Sequence, residues 1–177
     1  MSILWYEIMN SVFVNRIIRA CKLDISLYEE VEADQGATLQ AALVVVLSSL
    51  AAGVGALSLG ASNFLMAPIL SLISWYIWAY LIYFIGAKLF PESNTKADHG
   101  QLLRTIGFSS APGLIRVFGF TPDLMTITFL GGGIWMLVAM VIAVRQALDY
   151  ESTWRAIGVV VIGFLVQAII LIIILRI

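Results

Sequence analysis

The sequence predicts an all-α, polytopic membrane protein: five transmembrane helices, the third kinked or broken at Pro112, preceded by a cytoplasmic amphipathic helix. Three observations carry this. The 177 residues are 61% hydrophobic and 12% charged, with a mean hydropathy of +0.99, whereas a soluble domain holds about 45–50% apolar and about 25% charged residues. The apolar residues are gathered into runs long enough for a bilayer core of about 30 Å, which takes roughly 20 residues at 1.5 Å each. The basic residues collect in alternate connections between those runs. This composition excludes a disordered chain and an ordinary water-soluble enzyme.

From the amino terminus, Phe13, Val14, Ile17, Ile18 and Cys21 recur at helical spacing, opposite Asn15, Arg16, Arg19 and Lys22. A helix of this kind lies along the headgroups of an anionic leaflet, or packs its apolar face on the bundle. The charge then inverts at Asp24, Glu29, Glu30, Glu32 and Asp34. These acids read as a solvated linker or, less simply, as a docking strip for a basic partner. No signal peptide is expected, because the first fifteen residues include Glu7, Asn10 and Asn15 and lack a basic start. Residues 1–37 therefore form a cytoplasmic segment and residues 38–177 a membrane domain.

The first span runs from about Thr38 to Gly60 and the second from about Leu65 to Leu89, joined by an uncharged hairpin at Ala61-Ser62-Asn63. The fourth runs from about Leu124 to Val144 and the fifth from about Trp154 to Leu175. The third, about Leu102 to Phe120, contains Arg104, Arg116 and Pro112. Its length permits a crossing with Arg116 snorkelling to an interface, and a re-entrant path is the other reading. Charge decides between them. Five crossings place Arg16, Arg19, Lys22, Lys88, Lys96, Arg104, Arg145 and Arg155 on one side, leaving Arg116 and Arg176 on the other. That bias puts the amino terminus in the cytoplasm and the carboxyl terminus outside. A bacterial inner membrane or a eukaryotic endomembrane suits such a chain on physical grounds, and the bacterial inner membrane is the expected location.

Candidate functional residues fall into three groups. Helix packing is expected at the small residues Ser49, Gly53 and Ala52, Ala56 of the first span. Gly158, Gly163 and Gln167 of the fifth join them, the glutamine bonding across to another helix. A broken-helix site is expected at Ser109, Ser110, Pro112 and Gly113, framed by Arg104 and Arg116. The aromatic second span, with Trp75, Tyr76, Trp78, Tyr80 and Tyr83, offers core packing or an interface with another subunit. His99, in a turn-rich loop, reads as solvated.

No catalytic residue, cofactor or metal is expected. One cysteine and one histidine cannot build a disulfide framework or a multi-thiolate centre. No acid–base or nucleophile–base pair can be assembled at one membrane depth. A net charge of -1 gives no basic excess for nucleic acid. The expected partners are the lipid bilayer and other membrane-protein subunits or a second copy. The expected role is a non-enzymatic one, organising or stabilising a membrane assembly. The alternative is a small permease or channel using the broken third helix.

Three stretches carry a family resemblance: YEEVEAD from Tyr28, LLRTIGFSSAPGLIRV from Leu102 and IAVRQALDYESTWRAIGVVVIGF from Ile142. Over about residues 10 to 177 the chain resembles the prokaryotic branch of the Yip family, the Ypt/Rab-interacting type of membrane protein. The resemblance implies a five-helix membrane domain with a cytosolic amino terminus. Eukaryotic members are associated with Rab-type GTPases and vesicle traffic, and their acidic segment before the membrane includes an Asp-Leu-Tyr-Gly-Pro motif. Here Leu27-Tyr28-Glu29-Glu30 stands in that place, so the motif does not support GTPase binding.

Overall fold

The computed structural model describes residues 2–57 and 66–175. Seven α-helices make up most of it: α1 Ser2–Cys21, α2 Ile25–Ala33, α3 Ala37–Gly55, α4 Met66–Tyr83, α5 His99–Phe108, α6 Pro122–Ala147 and α7 Thr153–Leu175. The last turns of α4 continue as a π-helix over Phe84–Leu89, and a 3₁₀ helix, Ala111–Phe118, follows α5. There is no strand among the described residues. Four helices are long and apolar enough to cross a membrane: Ala37–Gly55, Met66–Leu89, Pro122–Ala147 and Thr153–Ile170. The expected hairpin at Ala61-Ser62-Asn63 lies outside the described residues.

Local chemistry sets most of the helix ends. Asp24 caps α2, accepting the Ser26 N–H at 3.0 Å. Asp98 and Gln101 form a reciprocal capping box on α5, at 2.9 and 2.6 Å. Thr121 followed by Pro122 starts α6, where a missing N–H costs nothing. At the ends of α1 and α6 the chain turns through left-handed residues, Leu23 at φ 60° and Asp149 at φ 53°. In each case the next N–H reaches back to the carbonyl five residues before it: Asp24 to Arg19 at 3.1 Å, and Tyr150 to Arg145 at 3.0 Å.

The expected third span is where sequence and structure differ most. Only ten residues are α-helical before Ser109 and Ser110, and Pro112 sits on the 3₁₀ segment rather than inside an α-helix. This two-part segment runs beside α3 in the same direction. A Cβ on Gly107 would meet Ala41, one on Gly113 would meet Ser48, and one on Gly55 would lie 1.9 Å from the Arg116 carbonyl oxygen. The close-packed face of α3 is thus Ala41, Ser48, Ala51 and Gly55. Ser49, Ala52, Gly53 and Ala56, the small residues expected there, lie one position round and are half-buried. Of the two glycines named on α7, Gly163 packs against Trp78 and Ile82, while Gly158 has open space beside it.

Two clusters form the core. One joins the later part of α4 and its π-turn to α5, the end of α6 and the start of α7, with Ile82, Leu102 and Leu148 fully buried. The other seats α1 and α2 on the bundle through Leu27, Tyr28, Val31, Val44 and Phe108. The loop between the π-turn and α5 is tied to the turn between α6 and α7. Thr95 donates to the Leu148 carbonyl at 2.9 Å, and Arg155 pairs with Glu92 at 3.1 Å. The Tyr150 hydroxyl lies 2.9 and 2.7 Å from the Gly86 and Phe90 carbonyls at the end of the π-turn. Gln146 reaches Glu29 at 3.0 Å, so both connections share one end of the bundle with α2.

Candidate functional site: a cavity with polar groups beneath an ion-paired cap

At the α1–α2 end, the acidic strip is folded into a helix and engaged within the chain. Arg16, expected on a polar outer face, is buried and points inward. It donates to Glu30, Asp34 and Gln40, each at 2.8 Å. Arg19 holds Asp24 at 2.7 Å and also pairs with Glu30. The expected apolar stripe is divided in consequence: Phe13, Ile17 and Cys21 pack inward, whereas Val14 and Ile18 are exposed. The Arg19 and Ser26 hydrogen bonds draw the Asp24 carboxyl down to about 2. Asp34 is lowered by its bond to Arg16, and Glu30 by the two arginines against the opposing effect of burial.

Arg104 belongs to this cap. It is buried on α5, with Nε 2.9 Å from the Val31 carbonyl and a second nitrogen on the Glu32 carbonyl. A cation thus closes the C-terminal end of α2, where carbonyls lack helical partners and the dipole is negative. Gln101 donates to the Glu32 carboxylate at 3.0 Å. Burial first, then Asp149, lifts that carboxyl to about 7, against the pull of Arg104.

A pH dependence follows. Glu32 binds its proton more tightly folded than unfolded, so its contribution to stability is complete below about 4.5 and lost as pH rises through about 7. Asp24, Glu30 and Asp34 act in the opposite sense, their contribution disappearing as pH falls below the ordinary carboxylate range. Thermal melts in detergent should therefore show the wild type losing stability between pH 5 and pH 8, with Glu32→Gln flattening that slope. An unchanged slope in the variant would remove Glu32 as its source.

The second region is a cavity of about 280 Å³ that opens to the surface and has mostly apolar walls, among them Val45, Ile106 and Phe164. Ser48 and Ser49 line it from α3, Ser71, Ser74, Trp75 and Trp78 from α4. Ser110 enters from the break after α5, Arg116 from the 3₁₀ helix, Met136 and Met140 from α6, and Gln167 from α7. Arg116 Nε is buried without a hydrogen-bond partner, and the guanidinium lies 5.5 Å from the Phe129 ring. No acidic residue lines the cavity among the described residues. Of the broken-helix candidates, Ser110 and Arg116 reach this space. Ser109 is buried and donates to the Ile106 carbonyl at 2.7 Å, and Gly113 is packed against Ser48 and Met136.

The aromatic residues of α4 separate by face. Trp75 turns inward and donates to the Leu103 carbonyl at 3.0 Å, and Trp78 is buried against Phe164. Tyr76 and Tyr80 are each 56% exposed. His99, expected in solvent, instead sits edge-on to them, with ring centroids 4.9 and 5.5 Å away, and Tyr83 lies 6.4 Å off. Sequence reasoning missed this histidine because the capping box that starts α5 at His99 carries no hydrophobic signal. No group of three histidine, cysteine or acidic side chains among the described residues could hold a metal ion.

Helices of this length and hydropathy, closed around a shared interior, define a polytopic integral membrane protein. The family model of the Yip1 domain matches residues 27–175, nearly the whole of the region from α2 to α7. The chain belongs to the Yip family. No curated protein and no solved structure gives a significant match.

Proposed function

We propose that the chain is a non-enzymatic subunit that organises or stabilises an assembly within the membrane. One observation carries this reading: Tyr76 and Tyr80 stand exposed along the outer face of α4, a helix long enough to span. Hydrocarbon gives a phenolic hydroxyl no partner, whereas a neighbouring protein helix does. The half-buried small residues Ala52, Gly53 and Ala56 leave a second strip on which another helix can lie close.

In this reading residues 38–177 form a membrane domain crossed five times, and residues 1–37 its cytoplasmic cap. The segment from α5 through the 3₁₀ helix supplies the third crossing. Ten α-helical residues and eight 3₁₀ residues extend about 15 and 16 Å, together about the thickness of a bilayer core. The shared position of α2, the loop before α5 and the turn before α7 supports an inward amino terminus, and the basic residues at that end support the same sidedness. A bacterial inner membrane suits this arrangement.

Gentle-detergent extraction from native membranes through an affinity tag, followed by native mass spectrometry, tests the assignment. We expect a stoichiometric larger complex that dissociates when Gly53 and Ala56 are replaced by Leu, or Tyr76 and Tyr80 by Leu, with insertion unchanged. A lone monomer in the wild type would overturn it. The cavity favours a second reading, a small permease using the break between α5 and the 3₁₀ helix. That reading requires solute flux in liposomes.

A further inference from the structure

We propose that the cavity around Arg116 is a binding site for an anionic oxyacid group, a phosphate or carboxylate, entering sideways between α4 and α7.

The argument begins with charge. A guanidinium stays protonated at any physiological pH, and an ionised group within a membrane domain takes a partner or faces water. Arg116 has neither a hydrogen bond nor an ion pair from its side chain among the described residues, and its Nε is buried. The ring of Phe129 is its one described electrostatic neighbour. Arg116 is half-buried, and no counter-charge faces it among the described residues.

The other polar groups around it can all donate a hydrogen bond, the serine hydroxyls and the Gln167 amide accepting as well. Ser49 and Ser71 spend their hydroxyl protons on their own helices, bonding the Val46 and Pro68 carbonyls at 2.9 and 2.8 Å. The Trp75 indole is committed to Leu103. What remains is a surplus of donors: the buried Trp78 indole N–H, the hydroxyls of Ser48, Ser74 and Ser110, and the Gln167 amide. Ser48 and Trp78 are more than nine-tenths buried. Several donors around a fixed cation with no acid among them match an oxyanion, which accepts in several directions. A metal cation would be repelled by Arg116 and would find no carboxylate in this lining. The volume of about 280 Å³ far exceeds the roughly 15 Å³ that one water needs.

The route in follows from exposure. Trp78 and Phe164 close the contact between α4 and α7, their rings 4.7 Å apart. Beyond that pair Ser74 is exposed and Gln167 half-buried, so the polar lining continues to the outer surface between the two helices. A side entrance within the bilayer admits the headgroup of an acidic amphiphile whose chains stay in the lipid. A small soluble oxyanion has the same chemistry and is the other source.

Trp75 and Trp78 supply the readout, since both line the cavity. The full-length protein is placed in zwitterionic phosphatidylcholine nanodiscs containing increasing phosphatidylglycerol, and separately titrated in neutral detergent with inorganic phosphate, following tryptophan emission. We expect a saturable change with phosphatidylglycerol, weakened at least tenfold in Arg116→Gln and partly restored in Arg116→Lys. A response to inorganic phosphate alone, again dependent on Arg116, would support the site with a soluble anion as its ligand. No saturable change with either probe in the wild type would overturn the proposal, as would an equal change in Arg116→Gln. Should Arg116→Gln fail to fold, Ser74→Phe, which fills the exposed mouth, adds no tryptophan to the readout and leaves the cation untouched, decides. Loss of the phosphatidylglycerol response in that variant at an unaltered melting temperature supports the site, and an unchanged affinity overturns it. The proposal requires binding and not transport, so saturation without flux supports it and counts against the permease reading alone.

Discussion

A single methyl group at position 55 is expected to destabilise the protein by about 3 kcal/mol, at the upper end of ordinary overpacking costs. The Cβ of Gly55→Ala would sit 1.9 Å from the Arg116 carbonyl oxygen and 3.3 Å from the Phe129 ring. The first obstacle is backbone, which cannot rotate away as a side chain does. The 3₁₀ segment must therefore separate from α3 or α3 must bend. Gly131→Ala and Gly158→Ala are the controls, because nothing lies within 4 Å of either added carbon. Those two should be neutral or stabilising by up to about 1 kcal/mol through helix propensity. Melting temperatures of the three variants in one detergent give the comparison. Equal values across the set would mean that α3 and the 3₁₀ helix do not approach as described.

Replacing Arg104 with Met should cost a similar amount, about 3 kcal/mol, through a different route. The variant retains much of the side-chain volume but strands the Val31 and Glu32 carbonyls that the guanidinium now satisfies. Unpartnered buried acceptors cost about 1–3 kcal/mol each, and bonds from a charged donor are the stronger kind. Lys at this position should recover only part of the loss, since one ammonium cannot reproduce the planar fork. The damage should also be local. Limited proteolysis near Asp34–Gly36, just beyond the end of α2, is expected to accelerate in Arg104→Met while the protein remains inserted. Unaltered cleavage there would separate Arg104 from the capping of α2.

Much of the fold was legible because the bilayer simplifies the code. A helix that crosses lipid must be apolar for some twenty residues, and four such runs coincide with α3, α4, α6 and α7 to within a few positions at the described ends. Pro112 and Gly113 likewise mark the interruption between α5 and the 3₁₀ helix. The cap was harder. Periodicity places Arg16 on a polar face but cannot distinguish a face turned to water from one turned to Glu30 and Asp34, acids fourteen and eighteen residues further on. On α3, small residues occupy two adjacent strips, and only the neighbouring segment decides that Ser48 and Gly55 form the tight one. The same ambiguity split the aromatic run, Trp75 and Trp78 facing in and Tyr76 and Tyr80 out. Arg116, Ser49, Ser110 and Gln167 were each conspicuous as polar groups in apolar surroundings. That they border one cavity was not readable, since they come from three separate stretches of chain.

The winding of residues 111–118 sets the aim of Arg116. In a 3₁₀ helix each residue advances the angle by about 120°, so every third side chain returns to the same heading. Ser110, the residue entering that helix, Gly113 and Arg116 fall on this repeat. They share the side on which Ser48, Met136 and the cavity lie. An α-helix over the same stretch, at about 100° per residue, would swing Arg116 by roughly 120° relative to Ser110, six residues before it. The tighter coil thus works as a phase setting, holding the lone cation in register with the serine two full turns behind it. Any substitution that relaxes the coil towards the α form should detune that register without altering a single residue of the lining.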